Sequence, residues 1–461
     1  MRVLAYFLTK KAVFSFFLYI FVARTLISTC PMEQLLHYVW KHKLFATAPL
    51  KTTEGVDVEV IDVGLHNDNA GADFFNAKVK LGDTLWVGNV EIHDMASQWF
   101  EHGHQNDPRY NNVVLHVVGK ADMECLTQDG KQLPQMELAV PSGLAAHYGE
   151  LLVADKFLPC HHIIPQLQRL TLHSWLAALQ TERLESKTEA VVRRVEQAKG
   201  SWEDAFFITL ARNFGFGVNG DAFERWAANV PLRCVDHHRD NAFQIEALFM
   251  GQAGLLNDAA IPTRHRNAAT AESYFGLLKK EYAYLAHKFN LQPLDPSLWL
   301  FLRLRPQNFP HIRLSQLAVL HHSRRASLAN IVACENLTQL RKALATQVSG
   351  YWQTHYVFGG ESKVSDKALS TASRDVLILN TVVPVLFAYG RHRHNDVLCD
   401  RAYQLLDELK AEDNHIVRMW KACGLEVNNA GDTQALIQLK NEYCDRKNCL
   451  RCRIGYEYLR R

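Results

Sequence analysis

Residues 73–93, D-F-F-N-A-K-V-K-L-G-D-T-L-W-V-G-N-V-E-I-H, decide how this chain is read. Phe75, Ala77 and Val79 alternate with Asn76, Lys78 and Lys80, the pattern of a strand with one buried face. Gly82-Asp83 supplies a two-residue turn, and Leu85 to His93 runs out as the returning strand. On that strand Glu91 and His93 stand two apart, so their side chains share a face. Asp73 opens the strand before it.

Outward from this hairpin the pattern extends in both directions. Val56 to Val63 reads as a preceding strand, Met95 to His102 as a short helix ending at Gly103, and Val113 to Val118 as a strand apolar on both faces. Upstream, M-E-Q-L-L-H-Y-V-W-K from Met32 is an amphipathic helix with Leu35, Leu36, Val39 and Trp40 on one face. Pro134 to Pro141 is a last extended segment, and near Leu158-Pro-Cys160-His161-His162 the character changes. Beyond Pro165 helical periodicity dominates, in 172–197, 204–228, 244–256 and 271–289. The expected class is α+β: a mixed-sheet α/β domain over 32–160, a mainly helical domain over 161–440, and a cysteine-containing module over 441–461.

The chain has 461 residues, 48% of them hydrophobic and 21% charged, which suits a globular protein with full cores and no need of disulfide staples. A formal net charge of +3 from 51 basic and 48 acidic side chains excludes recognition of nucleic acid by bulk charge alone; a local basic face stays open. Ten cysteines scattered without a framework point to a reducing compartment. Residues 1–31 carry a short apolar run, Ala12 to Val22, flanked by Lys10 and Lys11. It reads either as a signal or anchor, or as an over-called start upstream of Met32. Nothing downstream has a secreted character, so a cytoplasmic protein without stable membrane insertion is expected.

Carried onto these elements, the chemistry-bearing residues form four groups. Asp73, Glu91 and His93 can hold a hard divalent cation and act on a substrate; the plainer alternative is a turn carboxylate and a chance pair on a strand. His102-Gly103-His104, with Asp107, suits a second metal-binding or substrate-positioning group, or a polar loop, and His116 a hydrogen-bonded core histidine. R-L-R-P-Q-N-F-P-H-I-R sets Arg303, Arg305 and Arg313 in a proline-rich break between helices, either a solvated loop or a phosphate-contacting one. The fourth group is Cys444, Cys449 and Cys452, spaced C-x4-C-x2-C, which suggests Zn²⁺ or an iron–sulfur cluster against the alternative of thiols that merely pack. A fourth ligand is absent locally; Cys423 is the nearest upstream cysteine, and Cys160 with His161 could close the site in space.

From Met32 on, the chain resembles an uncharacterised bacterial family, through G-A-D-F-F-N-A, V-E-I-H, H-G-H, Y-N-N-V-V-L-H-V-V, R-L-R-P-Q-N-F-P and the terminal C-D-R-K-N-C-L-R-C. That resemblance carries no activity. Residues 33–120 also resemble, more loosely, the core of the PD-(D/E)XK nuclease superfamily: a helix, a three-stranded meander, a helix and a fourth strand. The resemblance implies a restriction-endonuclease-like domain in which Asp73 and Glu91 hold Mg²⁺ or Mn²⁺ for phosphodiester hydrolysis, with His93 in the slot of the superfamily lysine. Two function classes follow: a metal-dependent nuclease, active or inactive, whose helical domain grips nucleic acid, or a non-catalytic scaffold whose metal is structural and whose helices bind a protein partner.

Overall fold

The computed structural model describes residues 32–45, 49–67, 70–153 and 158–461, so the leader question at 1–31 lies outside the described residues. The protein is α+β, and it divides into two compact units between His173 and Ser174. Residues 423–425 and 439–461 belong to the first unit, so the terminal cysteines are part of the sheet-bearing body and not a separate module.

The first unit starts with α1, Met32–Lys41, which buries Leu35, Leu36, Tyr38, Val39 and Trp40 against the sheet. Its polar face presents Gln34, His37 and Lys41 on successive turns. The Trp40 indole N–H donates to the Val63 carbonyl at 3.1 Å, tying the helix to the loop after the second strand.

The sheet comprises β1 (Leu50–Lys51), β2 (Asp57–Asp62), β3 (Leu65–His66), β4 (Phe74–Leu81), β5 (Thr84–Met95), β6 (Val113–Lys120) and β7 (Gln135–Glu137). Its order is β1-β2-β4-β5-β6-β7, with β3 also on β4. The strands through β5 pair antiparallel, and β5, β6 and β7 are parallel. Parallel pairing needs a crossover, and residues 96–112 supply it over one face of the sheet. The expected helix from Met95 shrinks to α2, Gln98–Glu101, because β5 pairs with β6 as far as Met95. Helix α3, Ser142–Val153, follows β7.

One irregularity in β4 matters for the site. Ala77 to Leu81 pair with Gly88 to Thr84 in the register set by the two-residue turn, yet Phe74 pairs with Val90. The extra residue is a β-bulge at Phe75-Asn76, where Asn76 has φ 55° and its N–H donates to the Asn89 side chain. Continuing the hairpin register without the bulge would set Asp73 opposite Ile92, on the wrong face. The bulge sets it alongside Glu91.

The second unit is helical. Its core draws on Trp202–Phe214, Gly220–Asn229, Ala242–Gln252, Ser273–Phe289 and Pro310–His322, with one small hairpin, His355–Val357 with Gly360–Glu361. The helix expected over 204–228 is broken in two at 215–219, where Gly215 packs directly on Asn219 and Gly220. Among the described residues one helical run, Thr371–His392, is long and apolar enough to cross a membrane. Most of its side chains from Leu377 to Ala388 are buried in this unit's core.

Candidate metal centre and active site

Glu91 and His93 share the face of β5 that residues 98–110 cover, and both are buried, at 4% and 2% exposure. Asp73 and Glu91 clasp one another through the backbone: the Asp73 N–H donates to Glu91 Oε2 at 3.1 Å, and the Ile92 N–H donates to Asp73 Oδ2 at 2.8 Å. Each carboxylate is thus anchored by one oxygen, and the second Glu91 oxygen, Oε1, faces the histidines of the site. Burial, and then the neighbouring Glu91 charge, hold Asp73 well above the ordinary carboxylate range; burial does the same to Glu91. Two anions so placed are stable together only if a proton or a cation joins them.

Histidines supply the rest of the wall. Gly103, at φ 75°, turns the chain so that both His102 and His104 return to the site. His104 stacks on Tyr110 with ring centroids 3.9 Å apart, and its Nε2 lies 3.1 Å from Glu91 Oε1. That nitrogen is buried and has no hydrogen bond of acceptable geometry. His37, from the polar face of α1, stands 3.4 Å from Asp73 Oδ2, and Glu33 of the same helix adds a third carboxyl whose field reaches both Asp73 and Glu91.

Behind His93 runs a buried chain of polar groups that fixes its tautomer. The Gln135 amide nitrogen donates to the Met123 carbonyl at 3.1 Å and faces His116 Nδ1 at 3.4 Å, so it meets His116 as a donor. His116 then carries its proton on Nε2 and donates to His93 Nδ1 at 2.8 Å. The His93 proton sits on Nε2, 3.1 Å from His102 Nδ1 and 3.6 Å from Glu91 Oε1. Burial first, and the surrounding imidazoles second, push His93 down to about 2; burial pushes His116 down to about 3. His93 is therefore a neutral N–H donor aimed into the site and carries none of the positive charge of a lysine.

The donor set fits a divalent cation. An orphaned buried imidazole nitrogen, His104 Nε2, lies 3.1 Å from the spare oxygen of Glu91, and Asp73 stands beside Glu91 as a second carboxylate that burial disfavours as an anion. Mixed oxygen and imidazole donors suit Mn²⁺ or a similar borderline ion better than Mg²⁺. A second grouping overlaps the first: ligand nitrogens of His93, His102 and His104 all lie within 4.8 Å of one another.

Comparison with known proteins gives a family without an activity. The model of DUF2851, described as a protein of unknown function, matches residues 33–415. The chain belongs to the DUF2851 family. No curated protein and no solved structure matches it. The DUF2851 match takes in both units and all the site residues from Glu33 to Gln135, and it ends before the three terminal cysteines.

The remaining expected residues of this DUF2851 member fall in two places. Arg303 and Arg305 are exposed on the helical unit. Arg313, expected as a substrate contact, is instead 6% exposed inside Pro310–His322, where it donates to Gln316 and Asn308 and lies over the Phe216 ring. Its guanidinium braces the helical core, because the helix begins at Pro310 and carries it inward. Cys444, Cys449 and Cys452 lie in the first unit with Cys160. Sequence reasoning missed Glu33, His37 and Gln135. The i, i+3, i+7 row of Gln34, His37 and Lys41 was a usable signal for the helix; Gln135 carried none.

Proposed function

We propose that this protein is a divalent-metal-dependent phosphodiesterase acting on nucleic acid. The observation that carries the reading is the pairing of Asp73 and Glu91: Glu91 Oε2 accepts from the Asp73 N–H, Asp73 Oδ2 accepts from the Ile92 N–H, and Glu91 Oε1 turns toward His104 Nε2. Asp73, Glu91 and His104 would hold the cation. Bound there, a divalent cation supplies Lewis-acid polarisation of a phosphoryl oxygen and acidifies a water at neutral pH.

The chain's own groups complete the site. His93 offers its Nε2–H to the same space as a donor for developing negative charge, the task of the superfamily lysine done without a charge. A cleft of about 420 Å³ adjoins, sharing His37 with the carboxylate pair. Its walls include Lys41, His66, Lys447 and Arg451, with no carboxylate among the described residues that line it. Such a wall suits the phosphates of a nucleic-acid strand next to the scissile one. The order of helix, antiparallel meander, short helix and parallel strand also supports the PD-(D/E)XK likeness.

The test is a cleavage assay on single- and double-stranded DNA and RNA with Mn²⁺ and Mg²⁺, with Glu91→Ala and His93→Lys beside the wild type. Cleavage that needs Mn²⁺ and vanishes in Glu91→Ala is expected, and His93→Lys should shift the preference toward Mg²⁺. A wild type that neither binds Mn²⁺ nor cuts any substrate would leave the scaffold class as the reading. The overlapping nitrogens of His93, His102 and His104 favour a second arrangement, a zinc-like site with His93 as ligand. It requires the His93 proton to leave Nε2, which the Gln135–His116 chain opposes.

A further inference from the structure

Within the helical unit, helices Trp202–Phe214, Leu232–Asp236 and Pro310–His322, with residues 324–330, enclose a cavity of about 200 Å³. Phe206, Phe207 and Leu210 stand one and four residues apart on the first helix, and Leu317 and Leu320 three apart on the third, so each helix turns one apolar face to it. These side chains and Leu232 are all buried and make an apolar floor. Voids much larger than a water molecule are few in native interiors, and an apolar cavity of about 150 Å³ already admits a benzene ring.

The rim of this cavity is charged with both signs. Glu203 and Asp236 line it with Arg239 and Arg324. Asp236 and Arg239 form an ion pair whose side chains are 43% and 32% exposed, and Glu203 and Arg324 are exposed as well, so a solute can reach all four. Both Glu203 oxygens accept from the Leu328 N–H at 3.2 Å, which leaves the carboxylate lone pairs to spare. The backbone of the rim is pinned: His322 Nδ1 donates to the Arg239 carbonyl at 2.8 Å, and the Asn330 side chain donates to the Arg324 carbonyl at 2.7 Å. Two polar atoms of the lining residues are left over. Arg239 Nε is buried with no hydrogen-bond partner among the described residues, and His321 Nε2, 3.4 Å from Asp236 Oδ1, is buried without a bond of acceptable geometry. Buried polar atoms are nearly always satisfied in native proteins, so a remainder in a cavity wall calls for a ligand atom.

We propose that this cavity binds a free α-amino acid with an apolar side chain, of leucine or phenylalanine size. The floor takes the side chain, and the rim takes the two charges at the α-carbon. The ligand carboxylate meets Arg239 Nε and the Arg324 guanidinium; the ammonium meets Glu203 and Asp236. Ligands with less than this set fit worse. A purely apolar molecule would strip water from four charged groups and return nothing to them. An anion alone faces Glu203 and Asp236, and a cation alone faces Arg239 and Arg324, each a like-charge contact that a zwitterion avoids. The small volume holds the choice to a single side chain and excludes a peptide.

Calorimetry and thermal melts of the full chain test it, with L-leucine and L-phenylalanine set beside isocaproate, which lacks the ammonium, isoamylamine, which lacks the carboxylate, and adenine, a flat ring with neither. The amino acids should bind about tenfold more tightly than either one-charge analogue, the worth of one charge-assisted hydrogen bond. Arg324→Ala should weaken leucine and isocaproate and leave isoamylamine unchanged. Glu203→Gln keeps an acceptor for the Leu328 N–H; it should weaken leucine and isoamylamine and leave isocaproate unchanged. Leu210→Phe fills the floor and should abolish all binding; should that chain fail to fold, the two rim variants decide. The proposal is overturned by a wild type that binds neither amino acid at millimolar concentration, by an analogue or adenine that binds as tightly as leucine, or by rim variants that bind leucine like the wild type.

Discussion

Two buried carboxylates in this protein live by opposite rules. In the helical unit, Glu246 is 2% exposed, and Trp352, Tyr274, Ser349 and Ser315 all offer it neutral donors. In the sheet unit, Glu91 is 4% exposed beside a second carboxylate and an imidazole nitrogen that makes no hydrogen bond. Burial raises both above the ordinary carboxylate range. The first network is saturated and has no use for a ligand. The second lacks a positive charge, and that shortage is what makes it the candidate site.

The largest expected contrast is between alanine substitutions at the two glutamates. Glu91→Ala should cost on the order of 10³-fold in Mn²⁺-dependent cleavage, by analogy with the loss of other preorganised electrostatic groups, while denaturant melts of metal-free protein move little or upward. Glu246→Ala should do the reverse. It leaves several buried donors without an acceptor and should cost about 3 kcal/mol of stability. Equal destabilisation by both would erase the distinction.

Next in size is the response to pH and metal. Asp73 and Glu91 are raised in the folded state, so their contribution to stability is fully present below the unfolded carboxylate values and is lost as pH rises through the raised ones. Thermal melts of metal-free protein should therefore fall as pH climbs from acid through neutrality. Mn²⁺ at a hundredfold excess over its Kd should restore about 2.7 kcal/mol, most visibly at the alkaline end. Asp73→Asn should flatten both dependences, and a slope unchanged by that substitution would locate the titration elsewhere.

A smaller effect probes the chain behind His93. Gln135→Glu replaces a donor by an acceptor at His116 Nδ1, which should move the protons to His116 Nδ1 and His93 Nδ1 and bare His93 Nε2. Cleavage should drop about tenfold while affinity for Zn²⁺ rises, within the range of outer-shell effects on metal sites. Nitrogen NMR of the imidazoles reads the tautomer directly; unchanged tautomers would remove His116 and Gln135 as positioning residues. Smallest of all, Gly103→Ala must place a side chain at φ 75° and should cost about 1 kcal/mol, with a matching loss of Mn²⁺ affinity by calorimetry.

Much of the architecture was legible because period and turn chemistry are local. The alternation in 73–93, the Gly82-Asp83 turn and the change to helical spacing after Pro165 gave the hairpin, the shared face of Glu91 and His93, and the helical second unit. Locality also explains the misses. The start of the helix expected from Met95 gave way to pairing of β5 with β6 as far as Met95, and the arginine of the Pro310 helix turned inward, because packing partners far along the chain decided both.

The sequence by itself determined which residue types stand together on β5 and that a chain this apolar would bury them. Only the tertiary structure decided which of them meet. The bulge at Phe75-Asn76 brings Asp73 to the face of Glu91, the left-handed turn at Gly103 returns His104, and the parallel neighbours of β5 bring His116 and Gln135 behind His93. The return of the tail lays the helix that follows Cys452 on the segment that carries Cys160. A one-residue change of register reverses a face, and a contact across a sheet or a domain leaves no period in the sequence to be read.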